Sequence, residues 1–288
     1  VFRWLLAALP VLGAAQGCSV VLDPAEAQCE TSADCAARGF TDALCEDAIC
    51  VEQEIVDPVW GCLGNVEEPE PDTSQFVTLS VRLAFATDNM PLASDAVIDV
   101  CDKLDIGCTV MSPDYPKGLA PGADGVLEVA VRQGFDGFVR ITHPDVMDSR
   151  VYVGRPLLAP PKVEEIQLLR PNEYAALAAL ASDVPDPTRG TAILLSGDCQ
   201  GEAVGGVRFT VETADADSTE FYLINQGPVI PPGATETDAD GFGGYFNLPT
   251  GPTVVEALRA ADDVYIGESS FQVLEETISY VLVLPTPV

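Results

Sequence analysis

Alternation with a period of two runs through the chain from Phe76 onward. In FVTLSVRLAF the residues Val77, Leu79, Val81, Leu83 and Phe85 fall on one side, and Thr78, Ser80 and Arg82 on the other. That is the spacing of a strand with one buried face. It recurs in VLEVAVR, where Leu127, Val129 and Val131 oppose Glu128 and Arg132, and again in GFVRIT. Gly, Pro, Asp and Asn turns separate these runs. PNEYAALAALAS, Pro171 to Ser182, breaks the rhythm: Tyr174, Leu177, Ala178 and Ala181 lie at helical spacing, which predicts a helix with Asn172 as its N-cap and one packing face. After DVPDPTRG the alternation returns. GVRFTVE turns Val207, Phe209 and Val211 inward, and ISYVLVL puts Ile278, Tyr280, Leu282 and Leu284 on one face.

The first 75 residues follow another pattern. Arg3 is the only charge before Asp23, and an apolar run from Trp4 to Ala15 follows it. That run falls short of the roughly 20 residues that span a bilayer, and suits the core of an export signal. It leads into AQGC, Ala15 to Cys18, which resembles a bacterial lipobox, whose cysteine is acylated and becomes the mature N-terminus. Ala15 stands where such boxes favour leucine, and Gln16 where they favour a smaller residue. The competing reading is cleavage after Gly13-Ala14-Ala15, releasing a soluble secreted protein. Parity favours the lipid: of nine cysteines, assigning Cys18 to an acyl anchor leaves an even set, Cys29, Cys35, Cys45, Cys50, Cys62, Cys101, Cys108 and Cys199, for disulfides in an oxidising compartment. Several acyl chains would hold such a protein firmly to a membrane. Ser19 after the cysteine resembles the outer-membrane address of lipoproteins.

Four cysteines crowd into CETSADCAARGFTDALCEDAIC, Cys29 to Cys50. A segment with so few large apolar residues needs covalent staples, and the C-x2-C pairs that structural zinc prefers are missing. An interleaved pairing of Cys29 with Cys45 and Cys35 with Cys50 is expected, although spacing alone does not determine connectivity. The acidic, proline-spaced VEEPEPDTS, Val66 to Ser74, reads as an extended, solvated tether. In CDKLDIGC, Cys101 and Cys108 enclose a turn, which would leave Cys62 to pair with Cys199. The alternative, Cys62 bridging within the first β block, stays open.

The two β blocks resemble each other. GADGVLEVAVRQGFDGFVRI and DADGFGGYFNLPTGPTVVEAL each hold an Ala-Asp-Gly turn, a strand, a second glycine and another strand. The turn residues are Asp124 and Gly125 in the first, and Asp238, Asp240 and Gly241 in the second. Aspartate bonds the local backbone there, and glycine takes positive φ. The second stretch resembles the carboxypeptidase regulatory-like domain, through Thr237, Asp238, Gly241, Phe246, Leu248, Pro249 and Gly251. The first is looser, with Gly134 as its second glycine and no Leu-Pro. The resemblance implies transthyretin-like (prealbumin-like) antiparallel β-sandwiches and an accessory, non-catalytic role, and the order of segments is similar to exported proteins of the myxobacterial type.

The expected architecture is therefore mainly β: a lipoprotein signal peptide at 1–17, a disulfide-rich stub at 18–52, a tether at 53–74, and two antiparallel β-sandwich domains at 75–170 and 190–288 joined by a helical linker at 171–189. Composition adds exclusions. With 45 acidic residues against 14 basic ones the formal charge is -31, so nucleic acid and anionic surfaces are repelled. A single histidine, His143 in ITHPD, leaves no paired zinc histidines and no Ser-His-Asp arrangement, and G-x-S-x-G is absent. GFGGYF is glycine-rich but opens a strand, so no helix N-terminus cradles phosphate. Asp238 and Asp240 begin like a calcium loop that lacks its twelfth ligand, and TADADSTE, ending at Glu220, is a further acidic loop. Both read as turns. No cofactor, metal or catalytic residue is expected. The expected partners are a membrane, through the lipid on Cys18, and an unidentified protein or glycan. Two alternatives remain: an exported hydrolase using loop carboxylates, and a carbohydrate-binding module, which would need Phe221, Tyr222 and Tyr245 exposed along one groove.

Overall fold

The computed structural model describes residues 29–38, 43–52, 57–67, 70–92, 95–160, 165–225 and 227–287. The chain divides into two compact units, Val1–Val56 and Asp57–Val288. The signal segment and Cys18 lie outside the described residues.

The described part of the first unit holds a short helix α1 (Ser32–Ala37) and the hairpin β1 (Ala43–Glu46) and β2 (Ile49–Glu52). Asp34 closes the start of α1 by accepting the Thr31 amide at 2.8 Å, a capping box that anchors so short a helix. Disulfides join Cys29 to Cys45 and Cys35 to Cys50. They stand where a core would be, for only Cys29, Cys35 and Ala43 are buried here.

The second unit carries β3 (Phe76–Phe85), β4 (Val97–Asp102), β5 (Val126–Arg132), β6 (Gly137–Thr142), β7 (Asp148–Tyr152) and β8 (Glu165–Leu168). Helix α2 (Pro171–Leu180) follows, then β9 (Gly190–Ser196), β10 (Val207–Val211), β11 (Thr219–Ile224) and β12 (Gly227–Val229). The last strands are β13 (Phe242–Leu248), β14 (Gly251–Arg259), β15 (Val264–Val273) and β16 (Thr277–Val283). Among the described residues no helix is long and apolar enough to cross a membrane.

These strands form an eight-stranded sheet in the order β12-β11-β13-β9-β16-β7-β6-β4 and two three-stranded sheets, β5-β3-β8 and β10-β14-β15. Side chains on the large sheet alternate between two cores, one on each face. Val139, Ile141, Ile193, Phe221, Phe246, Ile278 and Tyr280 pack with Leu79, Leu83, Leu127 and Val131 of the β5-β3-β8 sheet and with Ala178 and Ala181 of the α2 segment. Phe138, Tyr152, Leu194, Tyr222, Tyr245, Val281 and Val283 pack on the other face with Phe209, Val211, Val255, Ile266 and Phe271 of the β10-β14-β15 sheet. The result is three layers.

This differs from two separate antiparallel sandwiches. Strand β16, the end of the second block, lies parallel to both β7 of the first block and β9 of its own, so the blocks share one sheet. Strand β8 also pairs parallel to β3. The physical cause is visible in β16: Ile278 and Tyr280 face one core, Val281 and Val283 the other, and Ser279 is buried as well. A strand apolar on both faces belongs in the middle of a sheet. Leu282 and Leu284, expected inward with Ile278 and Tyr280, are only half-buried.

The expected linker helix is a packing element whose Ala178 is fully buried. Its N-cap is Arg170, not Asn172, because Pro171 takes the first helical position, where a missing N–H costs nothing. Glu173 reaches back to accept the Arg170 amide at 2.8 Å. The expected tether is docked over part of its length. Trp60 and Leu63 pack against the core of the β10-β14-β15 sheet, and near its end the Asp72 amide donates to Gln133 at 2.7 Å.

Candidate functional site

The two Asp-Gly turns have the same construction. Asp124 accepts the Val126 amide at 3.1 Å, Gly125 sits at φ 79°, and its carbonyl accepts the Leu83 amide at 2.9 Å. Asp238 accepts the Asp240 amide at 3.0 Å with one oxygen and the Asn225 amide at 2.9 Å with the other. Gly241 sits at φ 76°, and its carbonyl accepts the Ser196 amide at 3.0 Å. A Cβ on Gly125 would stand 2.5 Å from the Leu83 carbonyl oxygen, and one on Gly241 2.9 Å from that of Ser196. Both glycines therefore serve positive φ and close strand approach. Asp240 is exposed, and the oxygens of Asp238 hold backbone amides, so the pair starts strand β13 as Asp124 starts β5. Thr237, buried just ahead, donates from its hydroxyl to the Val204 carbonyl at 3.3 Å and accepts the Val207 amide at 3.2 Å.

The acidic loop TADADSTE clasps a cation from within the chain. Arg189 donates to both oxygens of Asp215 at 2.9 and 2.8 Å, and to the Asn247 carbonyl at 2.6 Å. The Arg189 guanidinium holds the Asp215 carboxyl well below the usual carboxylate range. Sequence reading missed Arg189, which lies 26 positions away. Its only signal was that a scarce arginine stood at the end of the chain-breaking segment DVPDPTRG. The same arithmetic holds elsewhere: Arg82 pairs with Glu165, Arg132 with Asp114, Arg170 with Asp88 and Glu173, Arg208 with Asp263 and Arg259 with Asp262. Carboxylates whose titration is perturbed, such as Asp88, Asp105, Asp186 and Asp262, are moved downward by such donors. A general acid needs the opposite shift.

Phe221 and Tyr222 are fully buried and Tyr245 nearly so. Phe221 stacks on Phe246 at 4.4 Å between centroids, while the Tyr222 hydroxyl donates to Glu220 at 2.6 Å. They fill the cores and offer no sugar a platform, which removes the carbohydrate groove expected as an alternative. His143 accepts the Asp145 amide at 3.1 Å and meets Phe85 edge-on. It serves its own turn.

The sulfurs of Cys29, Cys35 and Cys50 lie within 4.8 Å of one another, close enough for a metal, but all three are committed to disulfides. The structure also pairs Cys62 with Cys199, 137 positions apart, and Cys101 with Cys108. The last of these closes a loop over the β4, β6 and β7 end of the large sheet. Beneath that loop Asp99, Arg140 and Arg150 stand side by side on three neighbouring strands. Arg140 donates to Asp99 at 2.5 Å and to the Gly107 carbonyl at 3.2 Å. Arg150, only 5% exposed, donates to the Ile106 carbonyl at 2.7 Å and lies over the Phe138 ring at 4.6 Å. Its Nη1 has no hydrogen-bond acceptor. Burial pushes the Asp99 carboxyl up, and Arg140 with the Gly118 amide outweighs it, so the net direction is down. Burial holds Lys117 below the ordinary lysine value, where it donates to the Val100 carbonyl at 2.8 Å and covers the β4 edge.

No family model and no curated protein matches the sequence. Among solved structures, the shaft pilin SpaA from Lactobacillus rhamnosus GG is 13% identical over 74% of this chain and 98% of its own, with a TM-score of 0.22. The major pilin subunit of Bacillus cereus is 11% identical over 74% of this chain and 70% of its own, with a TM-score of 0.23. The Bacillus anthracis TIE protein is 11% identical over 73% of this chain, with a TM-score of 0.23, and this chain spans only 34% of its length. Likeness this weak carries no argument about function.

Proposed function

We propose that this is an exported, non-catalytic lipoprotein of the cell envelope, anchored to the outer membrane through Cys18 and presenting its layered β unit for binding, adhesion or structural support. The observation that carries the reading is the cysteine balance. Eight cysteines close four disulfides, Cys29–Cys45, Cys35–Cys50, Cys62–Cys199 and Cys101–Cys108, and Cys18 is the ninth. Disulfides in such number suit an oxidising compartment, and a cysteine left over behind an apolar run suits acylation. The carboxypeptidase regulatory-like resemblance is retained in a modified form: two transthyretin-like halves, each opened by its Asp-Gly turn and fused through a shared sheet.

Detergent phase separation of the full-length protein from its producing cells tests the anchor. Wild type is expected in the detergent phase and Cys18→Ala in the aqueous phase. Wild type remaining in the aqueous phase, as the variant does, sinks the reading.

A further inference from the structure

The loop closed by Cys101 and Cys108 presents apolar side chains outward. Leu104 is 89% exposed and Met111 81%, with Ile106 and Val110 each 46% exposed between them. The polar backbone of the same loop faces inward and is satisfied. The Leu104 amide donates to Asp102 at 2.8 Å and the Val110 amide to Asp105 at 2.6 Å. The Ile106 and Gly107 carbonyls accept from Arg150 and Arg140. A segment entering lipid must meet that condition, because hydrocarbon offers no hydrogen bonds; a watery protein interface does not impose it.

Charge favours the same partner. Lys103 binds Asp136 at 3.0 Å, and Lys117, Arg140 and Arg150 also stand at the base of this loop. Four cations thus face Asp99, Asp102, Asp105, Asp114 and Asp136, a near balance in a chain of formal charge -31. This end is where an uncharged surface approaches with least repulsion.

We propose that residues 103–112 form a rigid apolar finger that inserts into the interfacial region of a zwitterionic lipid bilayer, as a contact separate from any acyl chain on Cys18. The test uses the chain from Ser19 onward, which keeps every described residue and cannot be acylated at Cys18. Co-sedimentation with phosphatidylcholine vesicles is expected, and Leu104→Asp with Met111→Asp should weaken it by about tenfold or more. Both side chains point to solvent, and an unchanged circular dichroism spectrum would confirm that the double variant folds. A Met111→Trp variant should shift its emission to the blue with vesicles and be quenched by lipids spin-labelled near the headgroup. Wild type remaining in the supernatant, or the double variant sedimenting as well as wild type, overturns the proposal and assigns the finger to a protein partner. Because Cys18 is absent throughout, failure here leaves the acylation reading standing, and failure of that reading leaves this one.

Discussion

Strand β3 in an outer layer and strand β16 in the middle layer are both rich in apolar residues, yet they are built by different rules. In β3 the exposed Thr78 and Ser80 alternate with buried Val77, Leu79 and Val81, because only one face meets a core. In β16 every residue from Thr277 to Val281 is buried, because a core lies on each side. Alternation reports a strand at the boundary of the protein, and its loss reports a strand at the centre. The middle layer should therefore be where substitutions cost most.

The largest expected effect is at Phe246, fully buried in β13 and stacked on Phe221: Phe246→Ala should lower stability by about 4 kcal/mol in chemical denaturation. Removing Cys62 and Cys199 together should cost about 3–4 kcal/mol, since their disulfide closes a very long loop; the loss should vanish when wild type is measured under reducing conditions. In the outer layer, Leu79→Ala should cost about 2–3 kcal/mol. A cost equal to that of Phe246→Ala would break the contrast between layers.

Smaller effects sharpen it. Asp99→Asn should cost about 1–2 kcal/mol at neutral pH, since Arg140 is partly solvated and screened. The folded carboxyl of Asp99 titrates below its unfolded value, so its contribution is complete above about pH 4 and fades as pH falls through the folded value. Melting temperatures measured against pH should show a shallower acid limb for the variant. The smallest effect is Thr78→Val on the solvent face of β3, expected within about 0.5 kcal/mol; a larger loss would mean that this face is covered.

Alternation exposed the inward faces of β3, β5 and β10 correctly because each has a single core to satisfy. The face of α2 was legible for the same reason: Tyr174, Leu177, Ala178 and Ala181 all join one core. The Asp-Gly turns were legible because their chemistry is local, an aspartate holding an amide two residues on and a glycine at positive φ. The clasp of Asp215 by Arg189 and the stack of Arg150 over Phe138 were not, since each joins groups that only strand pairing or loop return brings together. The outward face of the finger was equally hidden. Leu104, Ile106, Val110 and Met111 have the composition of a core, and no periodicity says that the loop turns them to solvent.

By itself the sequence determined that this chain is mainly β, stapled by cysteines, strongly acidic and without the histidines that common hydrolytic sites require. These follow from local spacing and from counting, which need no knowledge of neighbours. Tertiary structure alone decided that the two blocks share a sheet. Strand β16 could have closed its own block, and only the simultaneous burial of both its faces, between β7 and β9, made the parallel position in the middle the one that leaves no apolar face in water.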